Sequence, residues 1–532
     1  MKSLLPLLLS ITMLVPQQRS NAFRLEETTI AQIHAAMKAG RLTCAVLVDQ
    51  YIARIEAHDK QGASLNAITL VNPNARAEAA DLDKRMKASG FVGPLHCVPA
   101  IVKDNFETIG MQTAAGSLAL KDFDPGRDAF QVKRIKEAGA IVLAKSNMAE
   151  WAFSPYETVN SVMPGYTRNP YALNRVSAGS SGGTAAAVAA NFGAIGLGSD
   201  TGNSIRGPSS HQALVGIRST MGLTSRGGVV PLSLLADIAG PMTRTVEDAV
   251  AVFQVIVGED PADPITLAKD FEPAGFRPAG RPASIPDYRA ALVKDGLKGA
   301  RIGILRQAYE RDTTSPEIVT VFMKAVEDLT KAGAVIVDPA AVELAEVRRP
   351  QGGGTCAGFK HDINKYLASL GERVPVKNLE GIIRSRRFHP SVELRLTRAQ
   401  EGTENGYDSP ACKAEADYRE RFRAAVLKTM ETHSLDAFVY PTWSNPPRLI
   451  GDLNTAHGDN SQVFSPTTGF PAINVPMGYT LNNTLPIGIT FFGRAWDEVR
   501  LIKLAYSYEQ ATRHRRAPVL APAPGVASGT RR

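Results

Sequence analysis

The chain has 532 residues, of which 44% are hydrophobic and 21% charged, as in an ordinary globular protein that can bury a large core. Its formal net charge is +8 at pH 7, without a run of five or six like charges. Because the sequence also has neither a basic helix nor basic residues interleaved with aromatic ones, we expect no nucleic-acid partner.

Residues 1–22 have the features of a secretory signal peptide. Lys2 is positively charged, 4–15 form an apolar run, and Ser20 and Ala22 are the small residues that a signal peptidase requires. The apolar run is too short to span a bilayer comfortably, and no other segment is longer. We therefore predict a secreted or periplasmic protein with no membrane span after cleavage. The alternatives are a plain hydrophobic helix and a retained anchor.

Four cysteines are spread along the chain, at Cys44, Cys97, Cys356 and Cys412. Their long spacings match no metal-binding motif. Export would permit disulfides, yet four cysteines in so long a chain do not make a disulfide scaffold. We expect buried free thiols, with one bridge as the alternative, and the sequence does not determine the pairing.

The N-terminal part alternates helical and strand patterns. Helices are predicted at 29–37, 45–58 and 74–88, followed by a short apolar strand at 100–102. Lys103 comes directly after this strand, where α/β sheets place their ligands. The alternative is a lysine whose charged end simply reaches water.

The following segments predict the class of fold. A helix at 128–139 leads into a strand at 140–144, and this β–α–β rhythm indicates a mixed or parallel sheet. Residues 155–178 have turn residues and little periodicity, so we expect a long ordered loop over the site. The alanine-rich run 184–190 predicts a helix.

The C-terminal half continues this pattern around one irregular segment. Residues 350–412 are polar and irregular with helical stretches, which indicates an insertion, and 517–532 are rich in Pro and Ala, which predicts a disordered tail. Thr245 is the expected N-cap of a helix. Further helices are predicted at 245–257, 317–332 and 498–512, and strands at 214–217, 299–305, 334–337, 435–442, 470–478 and 486–492.

The stretch 178–210 is dense in Gly, Ser and Ala, and several chemistries compete for it. A phosphate cradle lacks the Gly-Lys-Ser/Thr that should follow. A nucleophile elbow centred on Ser181 matches G-x-S-x-G but needs a later histidine, for which His433, His457 and His514 have no persuasive context. A metal hydrolase is disfavoured because no histidine lies in a metal-binding array.

A fourth interpretation, a Ser–Ser–Lys hydrolase, comes from a family resemblance. The motifs AGSSGG at 178–183 and GSDTGNSIR at 198–206 resemble those of the amidase signature family. The resemblance covers about 27–515 and looks especially like bacterial exported peptide amidases and broad acylamide amidases. Other matching motifs are GPLHCVPAIVKDN at 93–105, AKSNMAEWAF at 144–153, DIAGPMTRTVEDA at 237–249, FPAINVPMG at 470–478, LPIGITFFGRAWDE at 485–498 and AYSYEQAT at 505–512.

The resemblance implies a single large α/β/α domain around a mixed, mostly parallel twisted sheet, with no metal or cofactor. Residue by residue, Lys103 matches the catalytic lysine, Ser180 the bridging serine that follows a cis peptide bond, and Ser204 the nucleophile. The backbone N–H groups of the oxyanion loop match those of Thr201, Gly202, Asn203 and Ser204. Supporting roles are implied for Asp200 and Arg206, which hold this loop, and for Ser181, which hydrogen-bonds near the lysine.

Elementary chemistry explains such a set of residues. A lysine acts as a general base only when it is neutral, and burial among hydroxyls lowers its pKa from about 10.4. Ser180 would relay the proton from Ser204 to Lys103, and the loop donors would hold the oxyanion.

The chain departs from the family at three places. Asn203, Cys97 and Ala178 each stand where the family usually has Gly. Asn tolerates a positive φ better than most residues, so we expect the oxyanion loop to keep its conformation, with a side chain that narrows or polarises the pocket.

The function that follows is a serine amidohydrolase that cleaves a non-peptide or C-terminal carboxylic amide of a small molecule. The alternatives are hydrolysis of anilides, carbamates or esters by the same triad, and a catalytically silent binding protein or subunit with the same cleft. Trp151, Trp443 and Phe464 are candidate pocket walls, with plain packing as the alternative. The natural substrate and the oligomeric state, with a homodimer as one option, stay open.

Overall fold

The computed structural model describes residues 23–268, 275–349, 356, 358–402, 404, 407 and 409–520. The predicted signal peptide at 1–22 and most of the predicted tail, 521–532, lie outside these residues. Among the helices of the described part, none is long and apolar enough to cross a membrane.

One large sheet organises the described chain. Eleven strands follow one another in the spatial order β1-β3-β2-β6-β8-β7-β12-β13-β11-β9-β10, and β4 and β5 form a separate hairpin. The strands are β1 (Ile68–Val71), β2 (Pro99–Lys103), β3 (Ile141–Ser146), β4 (Arg168–Asn169), β5 (Ala172–Val176), β6 (Ile195–Asp200), β7 (Val215–Arg218), β8 (Ile238–Thr243), β9 (Arg301–Ile304), β10 (Val335–Val337), β11 (Ala437–Pro441), β12 (Ala472–Thr480) and β13 (Leu485–Phe492).

The predicted mixed sheet of an α/β fold is confirmed, but its parallel part is smaller than expected. The pairs β3–β2, β2–β6, β11–β9 and β9–β10 are parallel, whereas the other neighbouring pairs are antiparallel. The alternation of strands and helices in the sequence therefore predicts the parallel pairs on the two sides of the sheet. It does not predict the antiparallel strands between β6 and β11 at the centre.

Helices pack on the sheet, and short polar side chains cap several of them. Thr29 and Gln32 form a capping box at α1, and Thr245 accepts from the backbone N–H of Asp248 as the predicted N-cap of α7. The helices are α1 (Ile30–Lys38), α2 (Cys44–His58), α3 (Ala75–Ser89), α4 (Phe130–Glu137), α5 (Gly182–Ala189), α6 (Arg206–His211), α7 (Val246–Ile256), α8 (Pro316–Lys331), α9 (Phe359–Ser369), α10 (Leu379–Ser385), α11 (Glu393–Gln400), α12 (Pro410–Thr432), α13 (Phe464–Thr468) and α14 (Glu498–Thr512).

Three central elements were not predicted, and their sequences explain why. Strand β6 contains Gly196 and Gly198, which weaken a strand pattern, and β8 contains Pro241. A Cβ on Gly196 would lie 2.6 Å from Thr184 Cγ2 of α5, so the helix packs too closely on β6 for a side chain there. The third, the long helix α12, has an apolar stripe at Tyr418, Phe422, Val426 and Met430, but charged residues fill many of its other positions.

Two irregular segments contain more structure than expected. The predicted loop 155–178 includes the β4–β5 hairpin. The described part of 350–412 folds into α9, α10 and α11, whose apolar residues form a second core with Trp151 and Phe153. This helical layer lies beside the cavity described below, and its status as an insertion remains a prediction.

The expectation of free thiols was wrong. Cys44 is bonded to Cys97 and Cys356 to Cys412, with Cα atoms 5.6 and 4.3 Å apart. Each pair is separated by more than fifty positions in the sequence, so only the fold shows that they meet. Cys97 also has a φ of 58°, in the left-handed region, which explains why Gly is usual at this position in the family that the sequence resembles.

Candidate active site

The site lies at one edge of the sheet, where two neighbouring parallel strands end. Lys103 is the last residue of β2, and β6 ends at Asp200, directly before the loop 201–204. Because β2 and β6 are parallel neighbours, their carboxyl ends meet at the same edge. Helix α5 begins beside them at Gly182, so Ser180 and Ser181 stand between the two strand ends.

The side chain of Lys103 is fully buried among hydroxyl groups. Its Nζ lies 2.7 Å from Ser180 Oγ, 2.9 Å from Ser199 Oγ and 3.4 Å from the Ser199 carbonyl oxygen. No carboxylate in the described chain forms an ion pair with it. Burial lowers the pKa of Lys103 to about 7, although the negative charges of Asp237 and Asp200 oppose this shift. A substantial fraction of the amine is therefore neutral near pH 7.

The contacts of Lys103 suit a neutral amine whose lone pair faces Ser180. A carbonyl oxygen only accepts, so the Ser199 carbonyl takes an N–H of the amine. Ser199 Oγ already accepts from Asn105 Nδ2 at 3.1 Å and lies within reach of the second N–H. With both N–H groups of the neutral amine directed to Ser199, the nitrogen lone pair is left to face Ser180 Oγ. Ser199 and Asn105 were not predicted, although both stand inside motifs that the sequence analysis singled out.

Ser180 and Ser181 precede helix α5, and their hydroxyls lie close to Lys103 and Ser199. The peptide bond between Gly179 and Ser180 is cis. Ser181 Oγ donates to the Ser199 carbonyl at 3.2 Å, so it shares an acceptor with Lys103. Neither hydroxyl hydrogen-bonds to a described histidine, and His514 instead lies 3.5 Å from Asp328. The histidine-assisted elbow therefore has no support in the geometry.

The loop 201–204 presents a row of backbone donors to a cavity. None of its four backbone N–H groups donates to an acceptor in the described chain. The Gly202 carbonyl accepts from Arg206 Nη2 at 2.6 Å. Ser204 is 4% exposed, lines the cavity, and its hydroxyl has no hydrogen-bond partner among the described residues. The loop thus offers a free hydroxyl beside free N–H groups, as an oxyanion site requires.

A buried ion cluster holds this loop in place. Asp200 Oδ2 accepts from the backbone N–H groups of Ile205 and Arg206 and from Arg206 Nε at 3.2 Å. Arg218 Nη1 lies 3.0 Å from Asp200 Oδ1. Burial would raise the pKa of Asp200, but the two guanidinium groups lower it to about 2. Arg218, at the end of β7, was not predicted and has no distinguishing motif.

The side chain of Asn203 behaves differently from the expectation. Asn203 has no positive φ, so the argument from tolerance of the left-handed region was not needed. Its Nδ2 donates to Asp459 Oδ1 at 2.8 Å, and Asp459 Oδ2 accepts from Gln462 Nε2 at 2.8 Å. The amide therefore anchors the oxyanion loop to a distant segment of the chain. Nothing in the sequence singled out Asp459.

The loop opens into a cavity of about 1060 Å³, but its aromatic walls are not the predicted ones. Trp151 packs edge-on against Phe359 in the second core. Trp443 Nε1 donates to the Gly207 carbonyl, and its ring stacks on His211. Phe464 packs against Phe422. None of these three rings is among the residues that line the cavity. The aromatic residues that line it are Phe153, Tyr156, Phe359 and Tyr418.

Comparisons with known proteins cover nearly the whole chain. A family model described as Amidase matches residues 46–502. A probable amidase of Arabidopsis thaliana is 34% identical over 523 residues, covering 94% of this chain and 93% of that protein. A glutamyl-tRNA(Gln) amidotransferase subunit of Alkaliphilus metalliredigens is 32% identical, covering 92% of this chain and 97% of its own length. The solved peptide amidase of Stenotrophomonas maltophilia matches with a TM-score of 0.81 at 35% identity, covering 93% of this chain and 99% of its own.

Proposed function

Because this chain belongs to the amidase signature family, whose chemistry is hydrolysis of amide C–N bonds, we propose that it is a serine amidohydrolase with Ser204 as nucleophile. The observation that carries the proposal is the buried Lys103 amine, 2.7 Å from Ser180 Oγ and without an ion-paired carboxylate in the described chain. An amine in this environment can accept a proton near neutral pH.

The first half-reaction forms an acyl-enzyme. Ser204 Oγ attacks the amide carbonyl while its proton passes to Ser180, whose own proton passes to Lys103. The carbonyl oxygen becomes an oxyanion that the N–H groups of 201–204 stabilise. The C–N bond then breaks as the protonated Lys103 returns its proton through Ser180 to the leaving nitrogen. The amine or ammonia departs, and the acyl group remains as an ester on Ser204.

The second half-reaction regenerates the enzyme by the same relay. A water molecule loses a proton toward Ser180 and Lys103 and attacks the ester carbonyl. The tetrahedral intermediate collapses, the carboxylic acid leaves, and Ser204 recovers its proton. The sum is an amide plus water giving an acid plus an amine, and the relay residues end as they began.

A fluorophosphonate probe tests the nucleophile. We expect the wild-type protein to be labelled and Ser204→Ala to remain unlabelled. Ser233→Ala, which removes another hydroxyl that lines the cavity, serves as the control and should be labelled normally. Labelling of Ser204→Ala at the wild-type rate would contradict the assignment.

Turnover separates the enzyme from the silent binding protein. A panel of peptide amides, anilides, carbamates and esters should include amides that the wild type hydrolyses, since one relative is a peptide amidase. Lys103→Ala should lower the rate by several orders of magnitude while the thermal unfolding midpoint stays close to that of the wild type. Near-wild-type turnover in Lys103→Ala would exclude the lysine-base mechanism.

We also propose that the protein is exported. The supporting observations are the composition of 1–22 and the two disulfides, which form and persist in oxidising compartments. N-terminal sequencing of the protein from the periplasm or the medium should begin shortly after Ala22. An intact N-terminus on protein recovered only from the cytoplasm would contradict this proposal.

A further inference from the structure

The cavity beside Ser204 is rich in arginine. Four arginines line it, Arg349, Arg395, Arg398 and Arg419. Arg349 and Arg419 share a single carboxylate, that of Glu415, and each lies within 3.2 Å of it. Arg395 and Arg398, three residues apart on α11, form no ion pair with any carboxylate in the described chain.

Arg395 is held in a fixed position although it lacks a carboxylate partner. One of its Nη atoms donates to the Phe153 carbonyl, and its guanidinium lies over the Phe153 ring, 4.6 Å from the centroid. Arg395 lines the cavity, and these contacts leave further N–H groups of its guanidinium without a partner, so an anion in the cavity can accept from them. Arg398 has no hydrogen-bond partner among the described residues, so its whole guanidinium is available.

The acidic residues of the cavity do not balance this charge. Glu150 accepts from Ser161 and from the backbone N–H of His389, and its burial raises the pKa to about 7, so it carries less than a full charge near neutral pH. Glu157 lies 3.3 Å from Arg448. The cavity therefore presents two uncompensated guanidinium groups on the wall that faces the substrate space.

We propose that the substrate is an amide that also carries a carboxylate, and that Arg395 and Arg398 bind this carboxylate while the scissile carbonyl occupies the oxyanion loop. A planar guanidinium matches a carboxylate with two parallel hydrogen bonds. The inference rests on the proposed function, because it places the substrate against Ser204. The cavity volume of about 1060 Å³ leaves room for a substrate that reaches both groups.

Binding to the Ser204→Ala variant tests the carboxylate site independently of turnover. The probes are N-succinyl-leucinamide and its neutral counterpart N-(4-methylpentanoyl)-leucinamide, which replaces the carboxylate by an isopropyl group of the same shape. A second pair, leucine 4-carboxyanilide and leucine 4-isopropylanilide, carries the charge on the leaving-group side. Calorimetry should show that the anionic member of at least one pair binds at least about tenfold tighter.

Matched arginine variants identify the groups responsible. Arg395→Gln and Arg398→Gln, each in the Ser204→Ala background, should reduce the preference for the anionic member about tenfold and leave the neutral member unchanged. Arg384→Gln, on α10 and paired with Glu380 outside the cavity, should change neither. Equal binding within both pairs, or equal losses for both members, would overturn the inference.

The same probes keep the two proposals separate. Wild-type protein that hydrolyses neither pair, combined with an intact preference in Ser204→Ala, would reject amide hydrolysis and retain the carboxylate site. Hydrolysis of the neutral members at rates equal to the anionic ones would retain the hydrolase and reject the carboxylate site.

Discussion

The amine of Lys103 sets the pH dependence of the proposed reaction. The protonated amine cannot accept a proton, so kcat/KM should fall about tenfold per unit below the pKa and level off above it. With this pKa lowered by burial to about 7, the half-maximal rate should lie near pH 7. Initial rates measured from about pH 5 to about pH 9 check this, since the ordinary lysine pKa of about 10.4 would give a profile still rising at the upper end.

Glu150 provides the control for this profile, because burial raises its pKa to about 7 as well. Glu150→Gln should keep the midpoint of the wild type if Lys103 is the titrating group. If kcat/KM of Glu150→Gln no longer fell below pH 7, the titrating group would be the Glu150 carboxylate instead of Lys103.

Asp459 is expected to act through the oxyanion loop, although it does not face the reacting atoms. Asp459→Asn turns one of the two acceptor oxygens that serve Asn203, Ser461 and Gln462 into a donor, so these three donors can no longer all be satisfied and the loop should shift. Losing one oxyanion donor costs about 10²–10³ in kcat, and we expect a fall of about tenfold to a hundredfold with KM little changed. Steady-state kinetics on the amide of the panel that the wild type hydrolyses fastest measure kcat and KM separately.

A double-mutant cycle decides whether Asp459 works through Asn203. The variant Asn203→Gly with Asp459→Asn should be no slower than Asp459→Asn alone, because the amide that needs the carboxylate is gone. Asp452→Asn, at a half-buried carboxylate of the same segment that does not contact Asn203, should be neutral. Additive losses in the double variant would show that Asp459 acts by another route.

How much of the site the sequence reveals depends on whether a residue lies in a recognisable motif. Lys103, Ser180 and Ser204 were singled out because three spaced motifs contain them. Ser199 lies in the same motif as Asp200, but a pattern of letters does not say which hydroxyl points toward the lysine. Asp459 comes from a segment without a motif, and only the chain path brings it to Asn203.

At the level of elements, the start of helix α5 determines where Ser180 and Ser181 stand. A Cβ on Gly183 would lie 2.2 Å from the Asn147 carbonyl oxygen and 2.7 Å from its backbone nitrogen. Gly183→Ala should therefore move α5 and lower the free energy of unfolding by about 1–3 kcal/mol, with a loss of activity. Urea unfolding and turnover measure the two effects.

Gly381→Ala is the matched control for this prediction. Gly381 also lies in the first turn of a helix, α10, but a Cβ there has only an ordinary contact at 3.4 Å. Alanine favours helix over glycine by about 0.5–1 kcal/mol, so this variant should be as stable as the wild type or more stable. Equal destabilisation by both substitutions would refute the packing argument.

Predicted elements were most accurate where periodicity and capping agreed. The helix predicted at 498–512 has those bounds, and Thr245 caps α7 as expected. Strands β6 and β8 were missed because β6 contains Gly residues that close packing requires, and β8 contains a Pro. Both residue types are uncommon in strands. At these two strands, tertiary contacts in the assembled sheet determine the backbone conformation, and the local sequence preference does not predict it.

At the scale of the whole molecule, two disulfides tie distant parts of the chain together. Denatured but unreduced protein should take up no iodoacetamide, and reduced protein should take up four equivalents. Uptake of two or more equivalents before reduction would contradict the pairing.

The bridge between Cys356 and Cys412 should stabilise the wall of the cavity. It closes a loop with a sequence separation of 56, and loss of such a loop constraint costs about 2–4 kcal/mol. We expect Cys356→Ser with Cys412→Ser to unfold at lower urea concentration and to have a higher KM, because α9 and α11 carry part of the wall. The equivalent double variant at Cys44 and Cys97 should leave KM unchanged.

The anchoring of Asn203 by Asp459 has a consequence for how the enzyme is made. The two residues are 256 positions apart, so a ribosome adding about 5–20 residues per second completes the serines and the lysine roughly tens of seconds before Asp459 emerges. An unfinished or prematurely terminated chain therefore contains every reacting group and still lacks the clamp on its oxyanion loop. Full stabilisation of the oxyanion therefore requires residue 459, which is synthesised close to the end of the 532-residue chain.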